Sequence, residues 1–250
     1  MVTLSTSFLS LVLATFILGG FVKGFVGFGP PLVAVTILGP IYGIRTALAL
    51  VIFPTVVMNI VQAFHGPHKR EIIARLWPYL LTIAIGIWLG IGILARTEMH
   101  TLTILLGAML LIYSVSSLFH LELPAPGRYE PIATPVMGGV SGLLAGVTGV
   151  YVFPTTLYLR SLGYERTKLI QAMGIVFLWV SVAIAISLGG RNLLPGNLTL
   201  LSAIVTIPAL AGQWLGSRAA ERLPDELFRR IFYVALGIVG FWITVRNFIL

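Results

Sequence analysis

Residues 4–42 read LSTSFLSLVLATFILGGFVKGFVGFGPPLVAVTILGPIY. An apolar run is interrupted by Gly24, Gly27, Gly29, Pro30 and Pro31, then resumes only over residues 32–41. At 1.5 Å per residue, that second piece is about 15 Å of helix, half the thickness of a hydrocarbon core. Lys23 stands among the glycines, deep in the first apolar region. A helix, a break, a half-length helix and a buried cation are the elements of a broken membrane segment, and the remaining chain is organised around it.

Outward from this stretch, full-length helices are predicted over residues 46–64, 76–95, 101–121, 169–189, 198–217 and 231–250, each long enough to span. A second interrupted region covers residues 131–159. There Gly138, Gly139, Gly142, Gly146 and Gly149 break the run and a short piece, residues 150–159, follows. Both halves have the same order, a broken segment and then three full spans. Gly86-Ile-Trp-Leu-Gly90 recurs as Gly212-Gln-Trp-Leu-Gly216 in the second full span after each break, as internal duplication predicts. The repeats are residues 1–121 and 131–250, joined by a linker over residues 122–130.

Composition agrees. The 250 residues are 58% hydrophobic and 10% charged, against about 25% charged in a water-soluble domain. Such a chain cannot cover a globule with polar groups. The first 22 residues have no Lys or Arg and no convincing cleavage site, so they read as a retained span rather than a signal peptide. The absence of cysteine excludes disulfides, thiolate metal sites and cysteine nucleophiles. The net charge of +8 follows from Lys and Arg collecting in cytoplasmic loops and needs no nucleic-acid partner. If each broken segment enters and leaves on one side, eleven of the sixteen Lys and Arg fall on one face and four on the other, with Lys23 inside. A single crossing per broken segment would divide them nine to six. The larger asymmetry favours two re-entrant hairpins and six full spans, with both termini outside. Each half then crosses three times, so the expected fold is all-α integral membrane with two inverted repeats, an arrangement used by transporters.

The chemistry follows from what the spans hold. All eight acidic residues fall in or beside loops, so no buried carboxylate is present to carry a cation or a proton. Lys23 therefore lacks an acidic partner in the spans, and a bound anion is the attractive counter-charge; the bland alternative is snorkelling to an interface. Pro30 suits the first position of a short helix and Thr148 suits the N-cap of the other. Helix N-termini present free N–H groups and a positive dipole end to an anion. Gly27, Gly29, Gly146 and Gly149 would let it approach the backbone, although glycines also serve helix packing. Asn59 and Gln171, each in the span after a break, complete the candidate substrate site; Gln62 and Gln213 rank below them. Gly19, Gly20, Gly138 and Gly139 read as packing positions, as do Trp88 and Trp214. His65 and His68 flank a solvated basic loop. No metal site or cofactor is expected.

Two resemblances bear on function. Gly139-Val-Ser-Gly142 resembles the Gly-x-Ser-Gly segment of rhomboid proteases, but all four histidines precede Ser141, so the base those enzymes carry on a later helix is missing and no enzyme is expected. The two breaks, residues 20–31 and residues 139–149 with Pro154, resemble the paired signature of the TauE/SafE sulfite exporter family. This sequence has Gly-Pro-Pro in place of a glycine cluster in the first break, and Thr148 interrupts the second. The resemblance implies export of sulfite or a small organosulfonate across a bacterial inner membrane. The rival readings are a transporter of another small anion, a metal-cation transporter, and a non-transporting membrane assembly protein. A chain this small is compatible with a homodimer, which no sequence feature specifies.

Overall fold

The computed structural model describes residues 5–64, 66–222 and 225–249. Residues 1–4, His65 and Leu250, which enter the sequence reading, lie outside the described residues, as do the side chains of Asp225 and Arg246. Among the described residues the chain is helical, with one 3-10 turn and no strand. The helices are α1 (Thr6–Val26), α2 (Pro30–Tyr42), α3 (Ile44–Phe64), α4 (Lys69–Arg96), α5 (Met99–Leu118), α6 (Glu130–Thr148), α7 (Val152–Ser161), α8 (Arg166–Gly189), α9 (Gly196–Ala220) and α10 (Asp225–Ile249). Their order reproduces the expected one, a pair separated by a break and then three long helices, twice.

Eight of the helical segments are long and apolar enough to cross a membrane. Six of them are the expected full spans, and the other two are the first arms of the broken segments. The first arm of each broken segment, Thr6–Val26 and Gly127–Thr148, has a full crossing length, and only α2 and α7 are short. Glycine weakens a helix in water but is common in membrane helices. α1 therefore runs through Gly19, Gly20 and Gly24, and α6 through Gly138, Gly139, Gly142 and Gly146.

Local chemistry sets the ends. Ser5 caps α1, its hydroxyl accepting from the Phe8 N–H at 3.2 Å. Glu71 and Glu130 lie in the first turns of α4 and α6, and Arg96 and Arg218 in the last turns of α4 and α9, matching the helix dipoles. All eight acidic residues sit at helix ends or in connections, as the sequence indicates. Several hydroxyls within the spans are satisfied on their own helix. Thr103, Ser116 and Ser181 donate to the carbonyls of Met99, Ile112 and Phe177 at 2.7, 2.6 and 2.7 Å, which removes most of the cost of a polar group in hydrocarbon.

The chain divides into two compact units, neither of which is a sequence half. One comprises residues 1–54, 97–120 and 194–250, and the other residues 55–96 and 121–193. In the first unit α1 packs along α9 and α5 along α10. In the second α4 packs along α6 and α8. The first arm of each break thus lies on the second long helix after the break of the opposite half, and the recurrent glycine pair explains how. A methyl on Gly212 or Gly216 would overlap the carbonyls of Ile17 or Phe21 of α1, and one on Gly20 or Gly24 would overlap those of Ala209 or Gln213 of α9. In the other unit Gly86 and Gly90 press on the carbonyls of Gly139 and Leu143, while Gly142 and Gly146 press on those of Ile83 and Ile87. Small residues on both partners let two backbones touch, which is how helices associate where lipid supplies no hydrophobic drive.

Trp88 and Trp214, expected to pack inside, are instead 45% and 54% exposed. Each ring lies under an arginine from its own unit, Arg191 at 4.7 Å and Arg218 at 3.9 Å. An amphipathic indole beside a cation suits a lipid-facing position near the headgroups.

Replacing Gly212 with Leu forces a side chain into the α1 backbone and should destabilise the protein by ~1–3 kcal/mol. Gly139→Ala adds a methyl that meets nothing within 4 Å and should be neutral or stabilising by up to ~1 kcal/mol. Unfolding temperatures of the two variants in detergent separate these outcomes.

Candidate functional site

The two breaks are closed by the same backbone device. α1 ends at Gly27, left-handed with φ 88°, whose N–H donates to the Lys23 carbonyl at 2.9 Å. α6 ends at Gly149, with φ 76°, whose N–H donates to the Ala145 carbonyl at 2.9 Å. A side chain at either position would be strained, so glycine is the natural choice. Two residues follow each glycine before the next helix begins: Phe28 and Gly29 before Pro30, Val150 and Tyr151 before Val152.

In the first unit, Lys23 occupies the last turn of α1 and is only 4% exposed. Its position near the negative end of that helix dipole eases the burial of its charge. Gly29 is the N-cap of α2, and a methyl on it would overlap the Gly19 carbonyl and the Lys23 backbone nitrogen. The start of α2 is therefore seated directly against the turn that carries Lys23. Pro30 and Pro31 occupy the first two helical positions, as expected, but proline has no N–H. Of residues 29–32, only Gly29 and Leu32 can donate. α2 thus offers an anion its dipole more than a cluster of amides, and Lys23 is the stronger positive element. At Gly27 an added methyl would meet nothing within 4 Å, so the backbone there is open to approach.

In the second unit the break differs from expectation in one respect. Thr148 is the last residue of α6, not the N-cap of α7, because the helix continues up to Gly149 and α7 starts only at Val152. Its hydroxyl donates to the Leu144 carbonyl at 2.8 Å and accepts from the Val150 N–H at 3.1 Å, so it still satisfies the break's backbone. Val152 and Phe153 keep their N–H groups at the start of α7, ahead of Pro154. Gly146 is buried between Ile87, Gly90 and Ile91, and helix packing accounts for it.

Asn59, on the α3 stretch of this unit, is 1% exposed. Gln171 is fully buried, and its amide is committed to the connection between α3 and α4. Its nitrogen donates to the Ala63 and Gly66 carbonyls at 3.2 and 2.8 Å, while its oxygen accepts from the His68 N–H at 3.0 Å. Gln62 likewise donates to the Ile170 carbonyl at 3.1 Å, joining α3 to α8. Lys23, Gly27, Gly29 and Pro30 thus belong to one unit, and Asn59, Gly146, Thr148, Gly149 and Gln171 to the other.

A buried hydroxyl cluster beside α7 was missed in the sequence. The Tyr79 hydroxyl lies 3.0 Å from that of Ser141 and 2.9 Å from that of Thr155, and its ring stacks on Tyr158 at 5.6 Å. Tyr158 in turn hydrogen-bonds Thr134. At one end of this cluster Arg75 donates twice to Glu130, at 2.6 and 2.8 Å. Ser141, noted only as a doubtful nucleophile, is therefore hydrogen-bonded to a tyrosine. Hydroxyls scattered over three helices carry no sequence signal until the packing of α4, α6 and α7 is known.

Helices of crossing length, two of them ended by a left-handed glycine ahead of a short helix, define a helical membrane protein. The family model of the sulfite exporter TauE/SafE matches residues 11–243 of the chain, which belongs to that family. It is an integral membrane protein. No curated protein and no solved structure matches it.

If Gln171 is committed to the connection between α3 and α4, Gln171→Ala should lower stability by ~1–3 kcal/mol. Transport per folded molecule and the apparent substrate affinity should be unchanged. Thermal unfolding and flux measured on the same preparation check both halves of that expectation.

Proposed function

We propose that the chain exports a small sulfur oxyanion, sulfite or an organosulfonate, and that the breaks between α1 and α2 and between α6 and α7 bind it. The observation that carries this reading is Lys23, buried in the last turn of α1 with the start of α2 seated against it. The family supports a sulfur anion as cargo. The charge pattern supports an anion independently, since every acidic residue lies at a helix end or in a connection. An ammonium kept in a low-dielectric interior is costly, and a site that binds an anion recovers part of that cost whenever it is loaded.

The roles divide by chemistry. Lys23 supplies the compact charge. α2 adds its dipole, and Gly27 gives room for close approach. α7 supplies the amides of Val152 and Phe153, with Gly149 and Thr148 holding the turn before them and Asn59 a further amide in the same unit. The two halves act as inverted copies, and alternating access moves one element against another around the bound anion. A membrane potential, negative inside, pushes an anion outward with about 2.3 kcal/mol per charge per 100 mV, so export needs no buried proton carrier. The distribution of basic loops supports an orientation with both termini on the outer face of a bacterial inner membrane.

The test is sulfite efflux from proteoliposomes under an imposed potential. Lys23→Ala should lose at least about tenfold in rate, the scale of one ion-pair contact, and Lys23→Arg should retain part of it. An alanine variant that transports at the wild-type rate would remove Lys23 from the mechanism. Competition by sulfonates, other oxyanions and divalent cations ranks the substrate classes on the same preparation.

A further inference from the structure

The first unit has a cavity of about 360 Å³ between the end of α5 and the start of α10. Ser117, His120, Arg229, Arg230 and Tyr233 line it, with Glu226 at its edge. Glu226 is turned toward His120, whose Nε2 lies 3.5 Å from the carboxylate. Two guanidiniums on successive residues therefore dominate the charge. Arg229 is half-buried, with its guanidinium 6.0 Å from the Tyr233 ring, while Arg230 is exposed. Planar guanidiniums bind phosphate oxygens in pairs.

The surroundings select among phosphates. Leu118, Phe119 and Val234 also line the cavity, and Phe119 is 74% exposed. Ile231, the residue after Arg230 on α10, is 60% exposed. Exposed apolar side chains directly beside an arginine pair make an amphipathic site, charged at its centre and open to hydrocarbon at its rim. A soluble anion would use only the first feature. The phosphodiester of an anionic phospholipid uses both, with its acyl chains along the outer face of α10. Basic pockets between membrane helices on the face with the positive loops are suited to such headgroups, and by the distribution of charged loops this end of α5 and α10 lies on that face.

We infer that this cavity holds the headgroup of an anionic phospholipid, tying α5 to α10 at the membrane surface. It is separate from the transport reading, since none of its residues belongs to either break. The site makes no demand on the transported anion.

The experiment uses the full-length, delipidated protein in detergent, with phosphatidylglycerol as probe and phosphatidylcholine as the neutral control. Inorganic phosphate and sulfite at millimolar concentration are the soluble arms. Retained lipid is counted by native mass spectrometry, and the unfolding temperature is followed in parallel. Phosphatidylglycerol should be retained and should raise the unfolding temperature, while phosphatidylcholine and both soluble anions should not. Arg229→Gln with Arg230→Gln should weaken retention about 30-fold, the equivalent of two surface cations. Glu226→Gln removes a carboxylate that lines the cavity and should strengthen it about fivefold. If the arginine variant does not fold, the Glu226 variant decides. Equal retention of the two lipids, an equal shift with phosphate or sulfite alone, or no response to Glu226→Gln overturns the inference.

Discussion

The close approach of helix backbones at glycine is the interaction on which the rest of this structure depends. In hydrocarbon, an apolar side chain gains nothing by leaving lipid for protein, so helices need a different reason to associate. Here the reason is contact between backbones. Gly212 and Gly216 meet α1, Gly86 and Gly90 meet α6, and in each case the partner answers with its own glycines. Because each crossing joins a break of one half to a long helix of the other, the chain is interleaved, and each compact unit takes helices from both halves. The breaks are held by helices far away in sequence, packed backbone to backbone at glycine.

That packing leaves charge as the organising feature of the site. Carboxylates stay at helix ends, where they match dipoles or pair with Arg75 and Lys168. A lysine is retained in the interior, at the turn where α1 ends and α2 is seated. The left-handed glycines at Gly27 and Gly149 make both turns short enough for a second helix to start within three residues. The two breaks are nevertheless unlike in chemistry. One has a buried lysine and two prolines, and the other keeps its amides beside a cluster of hydroxyls on Tyr79, Ser141 and Thr155.

Much of this was legible in the sequence because membrane helices announce themselves by length and composition. The order of helices, the two breaks, the family, Pro30 at a helix start and the marginal placement of acids all follow from residues read in line. What stayed hidden was pairing. The match between residues 86–90 and 212–216 marked a duplication, yet nothing local says that each copy packs against the break of the other half. The glycines of α1 and α6 read as interruptions in line, since their helical use depends on a partner backbone. Gln171 looked like a site amide because its commitment to Ala63, Gly66 and His68 spans a hundred residues. Thr148 was placed one helix too late because the extent of α6 depends on its contact with α4.

The interleaving is tested most directly by dividing the chain in the exposed connection at residues 122–126 and expressing the two halves separately and together. Each half alone carries a break without the helix that holds it. Neither should accumulate as a folded species, while the co-expressed halves should co-purify one to one with the wild-type unfolding temperature nearly restored. Two halves that each fold alone and do not associate would contradict the account.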